Sequence, residues 1–238
     1  MMSYNLPIAR HRQSRVSANN GVIASRRLVW VGGVLALFSF GALAVGVAMS
    51  DPGVAAMDLA AAQWIYPWRS PATTAVMLVI TALGSPTSVL TGCALLGIAF
   101  AYRRQWPSLI VFVLCVPGGM LANVIIKQLL HRHRPALDPV MTLPTFSFPS
   151  GHTLGSTLLI GLLVVYELRR GPHARSRVAV ILAATLLVSA IAASRIYLGV
   201  HYLSDVTAGA LEGLAWLLLG VSAADRWLPG WASPGSLT

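Results

Sequence analysis

Six long apolar runs leave this chain little choice of architecture: Leu28 to Met49, Ala72 to Tyr102, Trp106 to Leu130, Thr153 to Leu168, Val178 to Ser194 and Leu203 to Ala224. Each is close to or longer than the roughly 20 residues a helix needs to cross a hydrocarbon core of about 30 Å. Hydrophobic residues make up 56% of the chain and charged residues 10%, against about a quarter charged in soluble domains. An open sheet cannot satisfy its backbone in lipid, and the ten-residue alternation of a membrane barrel is absent from the sequence. The expectation is therefore an all-α, polytopic membrane helix bundle of about six transmembrane helices. It would form a single membrane domain over residues 28–224, with a basic tail at 1–27 and a short tail at 225–238.

The first run follows Arg10, Arg12, Arg15, Arg26 and Arg27, as the core of a secretory signal would. Its length of about 22 residues exceeds the 7 to 15 of such a core, so an uncleaved anchor is expected, preceded by a polar, disordered stretch from Met1 to Asn20. The formal charge of +10 is better explained by membrane orientation than by nucleic acid, because no basic stretch is interleaved with aromatics for base stacking. Cys93 and Cys115 fall inside apolar runs and are read as small hydrophobes.

The run from Ala72 to Tyr102 is too long for one straight crossing and is interrupted by Gly84-Ser85-Pro86. It reads either as one kinked crossing or as two short ones. A single crossing puts Arg10 to Arg27, Arg103, Arg104, Arg169 to Arg177 and Arg226 on the N-terminal side, which the positive-inside rule makes cytoplasmic. The segment Ala55 to Trp68 is too polar to span; its aromatics fit a helix lying along the outer membrane surface.

Three polar clusters stand at ends of apolar runs. Lys127 and Arg134 are seven residues apart where a span ends, and Pro135 disfavours helix at Arg134, so both cations can reach one anion. Ser150, Gly151 and His152 immediately precede an apolar helix, whose free amides and dipole favour phosphate. His201 and Asp205 are four apart, close enough for a carboxylate to fix the imidazole tautomer, with Arg195 just upstream. Span parity places all three clusters on one face, because the loop from Lys127 to His152 does not cross and the two following spans return the chain to that side. Each cluster alone has a plain structural reading: snorkelling cations, a helix cap, a self-satisfied polar pair.

Taken together, K-x6-R-P, P-S-G-H and S-R-x5-H-x3-D over Lys127 to Asp205 resemble the complete signature of the type-2 phosphatidic acid phosphatase superfamily. That resemblance implies a six-helix, metal-independent membrane phosphatase, of phosphatidic acid phosphatase type 2/haloperoxidase-like fold, acting through a phosphohistidine on a lipid phosphomonoester or a polyprenyl diphosphate such as undecaprenyl diphosphate. It makes His201 the nucleophile, Asp205 its orienting partner, and His152 the general acid. Lys127, Arg134, Arg195, Ser150 and the Gly151 amide would hold the phosphate. The substrate would be a membrane lipid phosphate of the surrounding bilayer, met on the extracytoplasmic face of the cytoplasmic membrane, with no cofactor, nucleic acid or obligate protein partner. A lipid phosphotransferase would use the same intermediate. Vanadium haloperoxidases share the motifs but are soluble, and a non-catalytic lipid-binding protein would have no need of an intact nucleophile and acid.

His131 and His133 form an H-x-H pair that is read as surface or substrate-loop rather than metal-binding, and Asp138 stands alone. Glu212, seven residues beyond Asp205, is expected to face the bundle and find a structural hydrogen bond. Phe146, Phe148, Tyr197 and Tyr202 flank the motifs and fit either a lipid-accessible mouth or, by default, the ordinary aromatic belt of a membrane interface, whereas His11 and His173 fall on the opposite side.

Overall fold

Three helix starts are written in the same way: a side-chain oxygen at the cap, then proline at the first helical position. Asp51 accepts from the Val54 amide at 3.0 Å, Ser70 from Thr73 at 3.2 Å and Ser85 from Ser88 at 3.1 Å. In each case an orphan amide is satisfied, and the proline has no amide to lose and a preset φ. In the computed structural model these punctuation marks divide the first half of the chain into α1 (Pro7–Ala48), α2 (Pro52–Ile65), α3 (Pro71–Leu83) and α4 (Pro86–Tyr102). There follow α5 (Trp106–Leu130), α6 (Gly151–Arg169), α7 (Ala174–Tyr197) and α8 (Leu203–Trp227). The structure describes residues 7–136, 139–169, 174–228 and 230–231, with the side chains of 7–25 and 174 left out; Asp138, His173, the His11 side chain and the end of the C-terminal tail lie outside the described residues.

No strand occurs among the described residues, and six helical stretches are long and apolar enough to cross a membrane. The protein is an integral membrane helix bundle. One expectation is amended. Helix α1 reaches back to Pro7, so the stretch from there to Asn20, expected to be disordered, continues the helix of the first span. No helix breaker lies between Ile8 and Asn20, and extending a formed helix needs no new nucleus. The long run after Ala72 is one candidate span made of two helices, α3 and α4, broken at Gly84-Ser85. These two touch each other little: α3 packs on α7, and α4 on α5 and α6. At Gly84 a Cβ would lie 2.5 Å from Ile191 Cγ2 and 2.8 Å from Ser156 Oγ, so the break doubles as a close crossing that only glycine permits.

Helix α8 is the organising element, packed against α1, α6, α5, α7 and α2. Lipid tails are as apolar as the side chains, so helices associate through close contact and small residues rather than through exclusion of water. Val89, Val116, Leu154, Leu158 and Leu217 form the middle of the core, while Phe38, Leu90, Leu114 and Leu186 point outward. At one end Arg169 makes a two-pronged pair with Asp225 at 2.6 and 2.9 Å, tying α6 to α8. At the other end stand the three polar clusters. Gly209 lets α8 press against them, for a Cβ there would lie 2.5 Å from the Ser150 carbonyl oxygen.

Gly209→Val is therefore expected to destabilise the protein by about 1–3 kcal/mol through overpacking against backbone that cannot yield. Thermal unfolding in detergent reads this as a lowered midpoint. A variant melting with the wild type would show that α8 and the Ser150 segment are not in close contact.

Candidate active site

Helix α5 ends at His131, whose left-handed φ of 47° turns the chain sharply while its amide still bonds the Lys127 carbonyl at 3.2 Å. The loop that follows is then fastened back upon itself. The Ser147 amide donates to the Arg132 carbonyl at 2.8 Å and its hydroxyl to the His133 carbonyl at 3.0 Å. Lys127 Nζ donates to the carbonyls of Phe146, Ser147 and Pro149 at 3.2, 3.1 and 2.5 Å. The Ser150 amide donates to the Asp205 carbonyl at 2.9 Å, joining the start of α6 to the start of α8. The three sequence clusters thus converge at one end of the bundle, as span parity requires.

His201 sits between a carboxylate and a guanidinium. Its Nδ1 is 3.1 Å from Asp205 Oδ2, and its Nε2 is 3.2 Å from Arg134 Nη1. A guanidinium has only donors to offer, so the Arg134 contact requires a lone pair on Nε2, and the ring proton resides on Nδ1 facing the carboxylate. Asp205 Oδ2 also accepts from the Tyr202 amide at 3.0 Å, which closes the first turn of α8 and fixes the carboxylate. Burial pushes the His201 imidazole down to about 4, with the Asp205 hydrogen bond and charge opposing the shift and Arg134 and Lys127 adding to it. The ring is therefore neutral over the ordinary pH range, with one directed lone pair.

Arg134 is held by the Val200 and Thr145 carbonyls, both at 2.7 Å, and by the Thr145 hydroxyl at 2.8 Å. Arg195 is only 1% exposed and donates through Nη1 to Thr81 at 2.7 Å. Its Nε and Nη2 are buried without a hydrogen-bond partner. Leaving two guanidinium donors unsatisfied in the interior is costly, and an oxyanion is the group that would satisfy both. Ser150 is fully buried and its hydroxyl accepts from Thr153, while Gly151 opens α6. A Cβ at Gly151 would approach Asn123 Oδ1 at 3.4 Å. His152, in the first turn of α6, is within electrostatic reach of Arg195, His201, Arg134 and Lys127. A cavity of about 190 Å³ adjoins His201, lined among others by Asp58, Tyr66, Arg132 and Tyr202.

Several neighbours of the site were not singled out by sequence. Arg132 reaches Asp205 Oδ1 at 2.6 Å and Asp58 Oδ2 at 2.7 Å, and Asp58 on α2 also accepts from the Ser204 amide and hydroxyl, both at 2.7 Å. The interfacial segment therefore contributes a buried carboxylate, and only its proximity to a polar cluster in the folded chain reveals this. Glu212 behaves as expected, accepting from Asn123 at 2.9 Å. Two of the four flanking aromatics are buried instead of lining a mouth, whereas Tyr202 lines the cavity beside His201. Tyr197 is buried with its hydroxyl among Thr73, Thr74 and the Ser70 amide, and Phe148 is fully buried beside Phe40 at 6.2 Å between ring centroids. A phenol hydroxyl that bridges two helices ties α3 to α7 more firmly than an exposed ring could. His131 turns its ring edge-on to Phe146, and no three metal-ligating side chains converge among the described residues.

The fold is that of a polytopic membrane protein, and its similarity to known proteins makes it a membrane lipid phosphatase. Residues 106–228 match the PAP2 superfamily, and the chain belongs to it. It is similar to phosphatidylglycerophosphatase B of Bacillus subtilis (strain 168), with 30% identity over 153 residues that cover 63% of this chain and 75% of that one. The crystal structure of the transmembrane PAP2-type phosphatidylglycerolphosphate phosphatase from Bacillus subtilis superposes with a TM-score of 0.74 at 27% identity, over 82% of this chain and 96% of the other. The Aquifex aeolicus LpxE structure gives a TM-score of 0.53 at 24% identity, over 69% and 94%, and shows the same fold.

Protonating Nε2 removes the lone pair, so activity that depends on it falls as pH drops through the value of His201. In kcat/KM profiles of the purified protein, an acid limb is expected near pH 4. A profile with its acid limb two units higher, or with none, would contradict a buried neutral imidazole.

Proposed function

We propose that this protein hydrolyses a lipid phosphomonoester or a polyprenyl diphosphate through a phosphohistidine formed on His201. The observation that carries the reading is the geometry around that ring: proton directed at Asp205, lone pair directed at Arg134, and the buried, half-satisfied Arg195 guanidinium nearby. The Nε2 lone pair attacks phosphorus and the bond to the leaving oxygen breaks. His152, in its protonated form, gives its proton to that oxygen. Water then attacks the phosphohistidine and His152 takes the proton. The P–N bond breaks, its electron pair returns to Nε2, and inorganic phosphate departs. Lys127, Arg134, Arg195, the Ser150 side chain and the Gly151 amide at the start of α6 hold the non-bridging oxygens. Positioning and electrostatic stabilisation of this kind supply most of the catalysis in phosphoryl transfer, and three cations with a helix terminus offer both without a metal ion.

A lipid substrate is supported by the surroundings. A groove of about 650 Å³ lies between α1, α5 and α8, lined chiefly by apolar side chains such as Leu37, Leu114, Leu219 and Trp227, with Glu212 at its wall. Phe40, which also lines it, stacks on Phe148 two residues before Ser150. A tail entering sideways from the bilayer would lie there while its phosphate reaches the basic cluster. The arginine distribution supports an N-terminus in the cytoplasm and a site at the outer leaflet of the cytoplasmic membrane. Phosphatidylglycerol phosphate, the substrate class in the relatives' names, is the first to test, beside phosphatidate and undecaprenyl diphosphate.

Detergent-purified protein, assayed for phosphate release with chelator present, should turn over at least one of these lipids. His201→Ala should abolish the release while leaving lipid binding; retained turnover would remove the reading. His152→Ala should cost about 10² to 10⁴ in rate on a monoester. On a diphosphate the loss should be smaller, because the departing phosphate already tolerates negative charge. Equal losses on both substrates would contradict the role of His152 as the acid.

A further inference from the structure

The oxygens of Asp205 are divided between two tasks. Oδ2 faces His201 Nδ1 and the Tyr202 amide, and Oδ1 accepts from Arg132 Nη1 at 2.6 Å. Arg132 is stretched between this carboxylate and Asp58, its Nη2 lying 2.7 Å from Asp58 Oδ2, its Nη1 also donating to the Ser204 hydroxyl at 2.7 Å, and its plane resting 4.1 Å from the centre of the Tyr202 ring. Asp58 belongs to α2 and is 4% exposed. It also caps α8 from outside that helix, taking the Ser204 amide at 2.7 Å, one of the orphan donors of the first turn. A carboxylate, a guanidinium and a second carboxylate therefore run in line from the short helix α2 to the imidazole.

We propose that Asp58 and Arg132 are positioning residues for the nucleophile, fixing the Asp205 carboxylate and setting how much of its negative charge His201 experiences. The inference rests on the reading of His201 as the phosphoryl acceptor. Arg132 does three things at once: it pins Oδ1 so that Oδ2 stays in line with Nδ1, it withdraws charge from the carboxylate, and it is itself partly neutralised by Asp58. The other charged groups facing the ring are Arg134, Lys127 and His152, from the α5–α6 loop, the end of α5 and the start of α6, with Arg195 beyond His152 on α7. None of these touches Asp58. Asp58 and Arg132 carry opposite charges on the same side of the imidazole, so substitutions at the two positions have opposite electrostatic signs.

That opposition gives the test. Loss of Arg132 leaves Asp205 with its full charge, which favours the protonated imidazole and moves the acid limb of kcat/KM to higher pH. Loss of the Asp58 charge leaves Arg132 unopposed, which disfavours the protonated ring and moves the limb to lower pH. Purified full-length Arg132→Met, Arg132→Lys and Asp58→Asn variants would be profiled on phosphatidate in detergent, with size-exclusion chromatography confirming a folded protein. Arg132→Met should lower kcat by about tenfold to a hundredfold, as loss of an orienting partner commonly does, with KM little changed. Arg132→Lys should restore part of the rate and return the limb towards the wild type, and Asp58→Asn, nearly isosteric and able to keep the hydrogen bonds, should shift it the other way. Limbs unmoved in both Arg132→Met and Asp58→Asn, or moved in the same direction, would overturn the inference. Should Arg132→Met not fold, the opposed shifts of Asp58→Asn and Arg132→Lys relative to the wild type decide it, the lysine shift being smaller and upward. A His201→Ala control that retains turnover would overturn the phosphoryl-acceptor reading itself, an outcome distinct from unmoved limbs with an inactive control.

Discussion

One buried imidazole, gripped by a carboxylate at Nδ1 and approached by a guanidinium at Nε2, is the contact around which the rest of this bundle is arranged. Alone, either neighbour would leave the ring free to rotate or change tautomer. Together they fix both. The cost is a concentration of charge, with the buried Arg195 and the partly buried Lys127, Arg132 and Arg134 set against the buried Asp58, Asp205 and Glu212 at one end of the membrane domain. Desolvated charges are tolerable when paired and hydrogen-bonded, and the structure pairs most of them through backbone carbonyls, hydroxyls and each other. The unsatisfied atoms are telling. Two donors of Arg195 face inward without acceptors, and an anion is the natural complement.

The scaffold answers the demands of that pocket. Helix α8 carries Asp205 and Glu212 and approaches the Ser150 backbone closely at Gly209. Helix α5 delivers Lys127, and the left-handed turn at His131 leads into the segment that carries Arg132 and Arg134. Two residues apart, the arginines hold the His201–Asp205 pair from its two ends, Arg134 at Nε2 of the ring and Arg132 at Oδ1 of the carboxylate. The short helix α2 is no mere surface decoration, since its Asp58 completes the chain of charges and caps α8.

Much of this was legible in the residues. Long apolar runs announce membrane helices because the bilayer imposes one length and forbids unpaired backbone, and the count of crossings alone brings Lys127, Ser150 and His201 to one face. The spacing of His201 and Asp205 announces their contact because it is local. What the sequence hides is long-range. Arg132 looks like any snorkelling cation at a span end, and Asp58, 74 residues away, like a polar residue on an interfacial helix; their pairing exists only once α2 docks. Tyr197 likewise resembles an interfacial aromatic until α3 supplies hydroxyls for it. Residues 7–20 depart from expectation for a different cause: low hydrophobicity argues against a packed core but not against prolonging a helix that a span has already nucleated.

The most direct measurement is chemical. Purified protein is mixed with ³²P-labelled substrate, quenched in alkali to preserve acid-labile phosphoramidates, digested, and the labelled peptide sequenced by mass spectrometry. A phosphoryl group on the imidazole of residue 201, absent from His201→Ala and lost on acidification, is the predicted result. Label on His152, on a hydroxyl or carboxylate, or turnover without any enzyme-bound phosphate at steady state and in rapid-quench time courses would contradict it.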